Sequence, residues 1–493
     1  MARKASWAVL VAGFAACLGA QSVSNSPLGY SITTPKPINP AEGTTTPSAR
    51  ATQQQNPYLG SVPAPATSET LQISLADAIS RGLKYNLGLV ESNQASADVH
   101  AERLRALSKL LPQITARAQQ GYDSISYKEI GIKLPAIPNV APLGATTGGF
   151  GFQDARVSVS QSVFDQELRE RLRASKQEEQ ASALNVKDAR DVVALAVGTA
   201  YFQVIASASR LDTVKAQVAA SRELDQLTTN RVGREVSPEI DSLRAQVERQ
   251  STEQRLMNVT NQLEKDKLTL ARIVGLAIDQ RFELTDSPKA HSLAGVTEES
   301  ATQEALRGRA DLAGADASIH AAEATLRAEK AQRLPVVSVN ADWGGGGANV
   351  ANFSQVYTVN ASVSVPLYTG GRIRADIEQA QSDLARKRAE YQDLRGRIAY
   401  DVRTAWLDAN ASDSSVKVAE ANETLAERAL TQSRDRYSNG VTNYLEVVQA
   451  QEVVAAAHEN YIESLYSFNV AMISLARAMG NADVRLPQLL GGK

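Results

Sequence analysis

Thr358-Val359-Asn360-Ala361-Ser362-Val363-Ser364-Val365 alternates a polar with an apolar residue at every step. Successive side chains of a strand point to opposite faces, so the stretch predicts a strand with one apolar and one polar face. Just upstream, Val337, Val339, Ala341 and Trp343 alternate with Ser338, Asn340 and Asp342. The first half of the chain carries the same two patterns. Ile114, Ala116, Ala118 and Tyr122 alternate with Gln113, Thr115, Arg117 and Gln119, and Val157, Val159 and Val163 with Arg156, Ser158 and Ser160. Each runs for about ten residues, the length a tilted membrane strand requires. A soluble antiparallel sheet over a core has the same alternation. Two hairpins alone leave open edges, however, and lipid tolerates none. Bacterial barrels begin at about eight strands, so a membrane-spanning chain with four strands closes only by oligomerising.

Around these strands the chain repeats itself. Shifted by 223 residues, Asn86-Leu87-Gly88-Leu89 falls on Arg309-Ala310-Asp311-Leu312, and Leu111-Pro112 on Leu334-Pro335. Shifted by 204, Ser158-Val159-Ser160 falls on Ser362-Val363-Ser364; shifted by 205, Arg231, Val236 and Ala245-Gln246 fall on Arg436, Val441 and Ala450-Gln451. Three landmarks in one order at nearly one shift indicate a tandem duplication. Each half reads helix, strand, loop, strand, long helix, sharp turn, helix, over residues 71–285 and 286–480, with a tail at 481–493.

Glu167 to Asn230 and Arg372 to Tyr437 contain no proline. At about 1.5 Å per residue each spans roughly 90–100 Å, too long for the inside of a globular domain. Apolar residues follow seven-residue seam spacing at Val186, Ala189, Val193, Val197, Ala200 and Val204, and again at Val454, Ala457, Tyr461, Leu465, Phe468, Met472 and Leu475. An ordinary coiled coil has this spacing too, but it does not account for alternating strands set between the helices.

The 493 residues hold 52 basic and 54 acidic side chains, a formal charge of −2, so no basic surface points to nucleic acid. Length alone allows roughly three domains of about 150 residues. One cysteine excludes an intramolecular disulfide and any multi-cysteine metal cluster. No stretch after residue 20 reads as the roughly 20 apolar residues of a membrane helix. Residues 1–20 read as a signal peptide: Arg3 and Lys4, then the apolar Trp7 to Ala16, then the small Gly19 and Ala20. Cys17 follows Ala15 and Ala16 as an acylated lipoprotein cysteine does, with Phe14 in place of the usual leucine. It is either a lipid attachment site or discarded with the signal. Residues 21–70, rich in Ser, Thr, Pro and Gln, bury too little apolar surface to order themselves and read as a flexible or draped leader. Ser74, with Asp77 three residues on, marks a helix start.

The order of elements, the junction Val365-Pro366-Leu367-Tyr368-Thr369-Gly370-Gly371 entering a long helix, and Arg436-Tyr437-Ser438-Asn439-Gly440 followed by Tyr444-Leu445-Glu446-Val447-Val448 resemble the TolC-like outer membrane efflux proteins. The resemblance runs from about residue 71 to 480. It implies an α+β, mainly α protomer, three of which form a twelve-stranded outer membrane β-barrel continued by a periplasmic α-barrel. It also implies an exit channel, not an enzyme, without cofactor, working with a periplasmic adaptor protein and an inner-membrane transporter. Ser162, Gln166 and Glu167 stand where the second repeat has Pro366, Gly370 and Gly371, so the first strand-to-helix bend departs from the pattern.

Such a conduit selects and gates. Thr115, Arg117, Arg156, Ser158, Asn340 and Asn360, on the polar faces, are candidates for lining the barrel. The turns Gly233 to Pro238 and Ser438 to Thr442 end the long helices, with Ser237 and Thr442 as aligned N-cap candidates and Gly233 and Gly440 as left-handed turn residues. The resemblance places these turns at the periplasmic tip, where an adaptor docks and the tube closes. Asp241 and Glu446 follow one turn later, and in a trimer would form acidic rings; each also suits an ordinary acid helped by a helix dipole. Tyr437 and Asp241 match the family's closing network, whereas Thr442 and Gln449 depart from it, leaving Arg231, Arg234 or Arg436 to supply substitute pairs. Gly344 to Gly347 read as a hairpin loop, Trp343 as either an interfacial anchor, which a barrel favours, or a hairpin aromatic, and Ser124 to Phe152 as an outer loop. His100, His291, His320 and His458 lack metal-site spacing and read as surface or seam residues, and no nucleophile motif is present. The rival reading is a periplasmic coiled-coil scaffold or tether without channel activity.

Overall fold

The structure, a computed structural model, describes residues 56–126, 146, 149–235, 238–286, 297–348, 352–480, 482 and 485–486. The signal region, Cys17 and His291 lie outside the described residues, as does most of the outer loop.

The first half runs β1 (Leu71–Ile73), α1 (Leu75–Tyr85), α2 (Leu87–Ser108), β2 (Gln113–Asp123), β3 (Phe150–Phe164), α3 (Gln166–Val232) and α4 (Glu239–Val274). The second runs β4 (Phe282–Leu284), α5 (Glu298–Gly308), α6 (Ala310–Ala331), β5 (Val336–Gly347), β6 (Ser354–Ser364), α7 (Arg372–Ser438) and α8 (Tyr444–Met479). Corresponding helices have equal lengths of 11, 22, 67 and 36 residues, which makes the duplication visible in three dimensions.

Local chemistry explains the boundaries. Ser74 and Asp77 cap α1 reciprocally, satisfying two of the amides a helix start leaves unpaired. Asn86 and Arg309 hold the same extended conformation, φ −64° and −69°, and break α1 from α2 and α5 from α6. Leu111-Pro112 and Leu334-Pro335 each lead into a strand. The two strand-to-helix bends do differ: Asp165 alone separates β3 from α3 and caps it through Leu168 N, whereas Gly370 and Gly371, at φ 62° and 88°, turn the longer link into α7.

The helices share two cores at mid-height. One gathers Val193, Val197, Tyr201 and Val204 of α3 with Ile79, Leu270 and Ile473; the other gathers Ile398 and Val402 of α7 with Phe468, Met472 and Leu475. All of the seam residues read from the sequence are buried or partly buried. The Tyr201 hydroxyl lies 2.9 Å from Asp286 Oδ2 and 3.1 Å from the Ile73 carbonyl oxygen, and burial together with Asp286 pushes its pKa up. Within the second half buried Arg309 meets Asp311 at 2.6 Å, and between the halves Arg477 meets Asp188 at 2.6 Å. Burial works against the Asp311 charge, but the Arg309 hydrogen bond and charge prevail and lower its pKa; burial raises that of Asp188 despite Arg477.

Four sequence expectations are corrected. The uncharged run from Val192 to Ser209 is long and apolar enough by composition to cross a membrane; it lies in α3, and 56% of the most apolar window is buried as a core helix. Gly344 to Gly347 belong to β5, not to a loop, because a Cβ on Gly344 would stand 2.1 Å from the Ala155 carbonyl oxygen, so only glycine lets the strands approach there. β1 and β4 form a parallel pair too short to read from alternation. The last part of the leader is draped and ordered: Val62 N donates to Tyr85 O, Ala64 N to Gly275 O, and Thr67 N to Gln280 Oε1, so structure begins well before Ser74.

Asp311→Asn is expected to destabilise the fold by about 2–3 kcal/mol at pH 7. A carboxylate whose native pKa is lowered stabilises fully above its unfolded value of about 3.9, and that contribution is lost as pH falls through the native value. The difference from wild type in thermal unfolding, followed by helical circular dichroism, therefore shrinks as the pH is taken below about 4.

Candidate functional site

The four long strands form one antiparallel sheet in the order β2-β3-β5-β6. Over four consecutive rows its register aligns residues of one kind across all four strands. Ile114, Val159, Ala341 and Val359 make one row, and Ala116, Val157, Trp343 and Tyr357 the next on the same face. On the other face lie Gln113, Ser160, Asn340 and Asn360, then Thr115, Ser158, Asp342 and Thr358. All six lining candidates thus share one face, with Arg117 directly opposite Arg156. The polar rows are knitted by side chains: Ser158 donates to Asp342, Ser160 Oγ to Asn340 Oδ1 at 2.7 Å, and Arg156 Nε to Asp154 Oδ2 at 2.7 Å. The apolar rows have nothing to pack against, Val359 and Val363 being 69% and 66% exposed. A register shift between Ser162 and Phe164 marks a bulge where β3 bends toward α3.

At the far end of the long helices α3 turns into α4 and α7 into α8. The caps differ from the sequence expectation. Asn443, not Thr442, caps α8, its Oδ1 accepting from Glu446 N at 3.2 Å; the Thr442 hydroxyl donates instead to the Glu446 carboxylate. Pro238 occupies the cap of α4 without a side-chain bond, and Ser237 lies outside the described residues. Gly440 is left-handed at φ 75°, but Gly233 is helical at φ −63°, the left-handed residue of that turn being Glu235 at φ 60°.

Arg231 of α3 reaches across to α7. Its Nη1 donates to Tyr437 O at 2.9 Å while the guanidinium lies 4.7 Å over the Tyr437 ring. Tyr437 meets Tyr444 edge to face at 6.3 Å, over a small cluster with Leu224, Ala245 and Val447. Asp241 is held loosely by Arg244 at 3.9 Å, and Glu446 by Arg436 at 3.7 Å. The Tyr437 hydroxyl has no hydrogen-bond partner, so Asp241 is not joined to it here. Of the three arginines considered, Arg231 bridges the two hairpins, Arg436 serves the Glu446 side, and Arg234 is exposed.

Among the described residues seven buried side-chain polar atoms lack a partner, and four of them are at this tip: Asp225 Oδ1, Arg231 Nε, Tyr437 Oη and Tyr444 Oη. Burial first, then the charges of Glu248 and neighbouring acids, push the Tyr444 phenol up to about 12. Beside it Ile240, Leu243, Val247, Tyr444, Leu445 and Val448 line an apolar groove of about 360 Å³ between α4 and α8. Sequence reading missed Tyr444 and the groove, although Ile240, Leu243 and Val247 recur at helical spacing and could have revealed it.

The sequence model of the outer membrane efflux protein family matches residues 86–276 and 301–481. The chain is 22% identical over 418 residues to outer membrane protein TolC of Escherichia coli (strain K12), covering 80% of each chain. It is 23% identical over 428 residues to outer membrane efflux protein BepC of Brucella suis biovar 1, covering 84% of this chain and 86% of that one. Its fold matches the outer membrane protein VceC of Vibrio cholerae with a TM-score of 0.70 at 17% identity, over 82% and 96% of the two chains. It also matches the CmeC outer membrane channel of Campylobacter jejuni with a TM-score of 0.71 at 15% identity, over 89% and 94%.

Arg231→Ala removes a charged hydrogen bond and a cation–π contact, together about 2–3 kcal/mol. Amide hydrogen exchange in residues 224–232 and 437–448 is expected to quicken at least tenfold, with Arg231→Lys intermediate because it keeps the charge and loses the stacking plane.

Proposed function

The chain belongs to the outer membrane efflux protein family, and on that premise we propose that it is the exit duct of an export system. Three copies each supply four strands to a twelve-stranded barrel in the outer membrane. The apolar rows face lipid, the polar rows line the lumen, and the helices continue the tube into the periplasm. The duct is passive and makes no bonds. An inner-membrane transporter drives export, and a periplasmic adaptor joins that transporter to the helical tip.

The observation that carries this reading is the continuity of the rows. Four consecutive rows, alternately polar and apolar, run through β2, β3, β5 and β6 before Gln161 at one end and Val356 at the other interrupt the sorting, yet both outer strands of the sheet keep an unpaired edge. In hydrocarbon an unpaired edge leaves backbone groups with no partner, so β6 of one copy pairs with β2 of the next until the ring closes.

Threefold repetition sets Asp241 and Glu446 in acidic rings at the tip, where they favour cations and repel one another as the aperture narrows. The Arg231 bridge to Tyr437 ties the α7–α8 hairpin to α3–α4 and holds the narrow state. The turn residues Gly233, Ser237, Gly440 and Thr442, with the groove between α4 and α8, form the adaptor's docking surface, its apolar lining suited to the apolar stripe of an adaptor helix.

Detergent-extracted protein is expected to have the mass of a trimer and to pass current in a planar bilayer. Arg231→Ala raises its open probability, and neutralising Asp241 and Glu446 together lowers its preference for cations. Soluble protein that passes no current after verified export overturns the duct and leaves a periplasmic scaffold.

The two sheet faces also predict opposite responses to one substitution. A charge on the lipid face costs about 2–4 kcal/mol near the bilayer midplane. Val359→Arg should therefore reduce the assembled trimer recovered from outer membranes several-fold, while Asn360→Arg, one residue on, assembles normally and alters conductance.

A further inference from the structure

Three of the histidines lie among the described residues, and each faces carboxylates, but one differs from the others in what balances the charge. Glu179, which touches His100, is also held by Arg103, and Glu323, near His320, is also held by Arg388. His458 of α8 stands between Glu423 and Glu427 of α7, its Nδ1 2.6 Å from Glu423 Oε1 and its Nε2 3.6 Å from Glu427 Oε1. Among the described residues neither of these acids pairs with a lysine or arginine. Between α3 and α8 arginine does that work, as Arg210 does for Glu459 and Glu463 at 2.7 and 2.8 Å.

We propose that Glu423, Glu427 and His458 form a site for a first-row divalent cation, with zinc as the best match, in the seam between α7 and α8. The two acids are four residues apart, which places both carboxylates on one face of α7, and His458 comes from the opposing helix. One ligand atom from each residue lies within 4.8 Å of the others. Imidazole nitrogen and carboxylate oxygen are both zinc ligands, and the imidazole in the set suits zinc, copper or nickel better than magnesium or calcium. Two ligands about 2.0–2.2 Å from one tetrahedral ion stand about 3.4 Å apart, so binding opens the 2.6 Å contact of His458 Nδ1 with Glu423 and draws Glu427 inward. Glu427, at 57% exposed, is free to swing, whereas His458 and Glu423, each 22% exposed, are held by the seam.

The remaining coordination positions have somewhere to open. Glu423 and His458 border a cavity of about 230 Å³ between α3 and α8, walled by Phe202, Ile205, Tyr461 and Tyr466. Water completes the ion's shell on that side. The bound cation replaces the missing positive charge and crosslinks α7 to α8. The site needs only the hairpin of one protomer, so it stands whether or not the chain is a duct.

The test uses untagged full-length protein in detergent, stripped with chelator and titrated calorimetrically with Zn²⁺, with Co²⁺ as an absorption probe and Mg²⁺ and Ca²⁺ as controls. We expect one Zn²⁺ per protomer, a rise in thermal midpoint on saturation, and cobalt absorption of the kind given by a nitrogen ligand. His458→Gln and Glu423→Gln should each weaken binding at least tenfold and abolish the thermal shift while keeping wild-type helical circular dichroism. Absence of zinc binding at micromolar concentrations, or equal binding by wild type and both variants, overturns the proposal and leaves His458 as a clamp between two acids. Should either variant fail to fold, blockage of diethylpyrocarbonate modification of His458 by Zn²⁺ in the wild type decides the matter, full reactivity with Zn²⁺ present overturning it.

Discussion

A backbone amide or carbonyl in hydrocarbon has no water to turn to, and most of what this chain does follows from that constraint. Its sheet is finished in every respect but one. Side chains are sorted by face, the polar faces of β3 and β5 are cross-linked by Ser158 and Ser160, and the glycines of β5 let the strands close up at one end. What remains is the edge of β2 and the edge of β6. In the trimer proposed above, β6 of one copy pairs with β2 of the next, so that two more copies complete what one leaves open.

The helices obey a related limit. A helix of 67 residues is about 100 Å long, far more than one partner of 36 residues covers, so different partners take up successive stretches. α2 and α6 meet α3 on the strand side of the molecule, while α4 and α8 meet it toward the tip. Equal lengths in both halves keep the partners in step. Where the partners change, Asn86 and Arg309 interrupt the shorter helices and the large cores gather, and there the chain buries its ion pairs.

Much of this was legible in the sequence because it rests on period. Strict alternation gave the faces, seven-residue spacing gave the seams, and duplication tied the halves. What stayed hidden has no period. β1 and β4 are three residues each, too short to alternate, and residues 57–70 are held by scattered backbone and side-chain hydrogen bonds that no composition reveals. Thr442 and Asn443 are adjacent and both suitable as caps; only backbone geometry assigns the cap to Asn443 and turns the Thr442 hydroxyl toward Glu446. Arg231 was one cation among three near the tip, and nothing local says that it reaches Tyr437, 206 positions away. His458 looked isolated for the same reason, since its two acids lie on the preceding helix.

Packing also falls off along the molecule in a direction that bears on motion. The mid-height cores bury Tyr201, Phe468, Met472 and many aliphatic neighbours, whereas the tip has one small cluster around Tyr437 and Tyr444. Unpartnered buried polar atoms run the other way, being concentrated at the tip. Each such atom costs about 1–3 kcal/mol, so the cluster there is held by less apolar burial and penalised by more unmade hydrogen bonds. A rearrangement that gives those phenols and Arg231 Nε new partners recovers part of that cost, while one at mid-height only loses contacts. For the gated duct proposed above, that difference favours motion at the hairpin ends over motion at mid-height, with the bridge from Arg231 to Tyr437 among the contacts that such motion has to break.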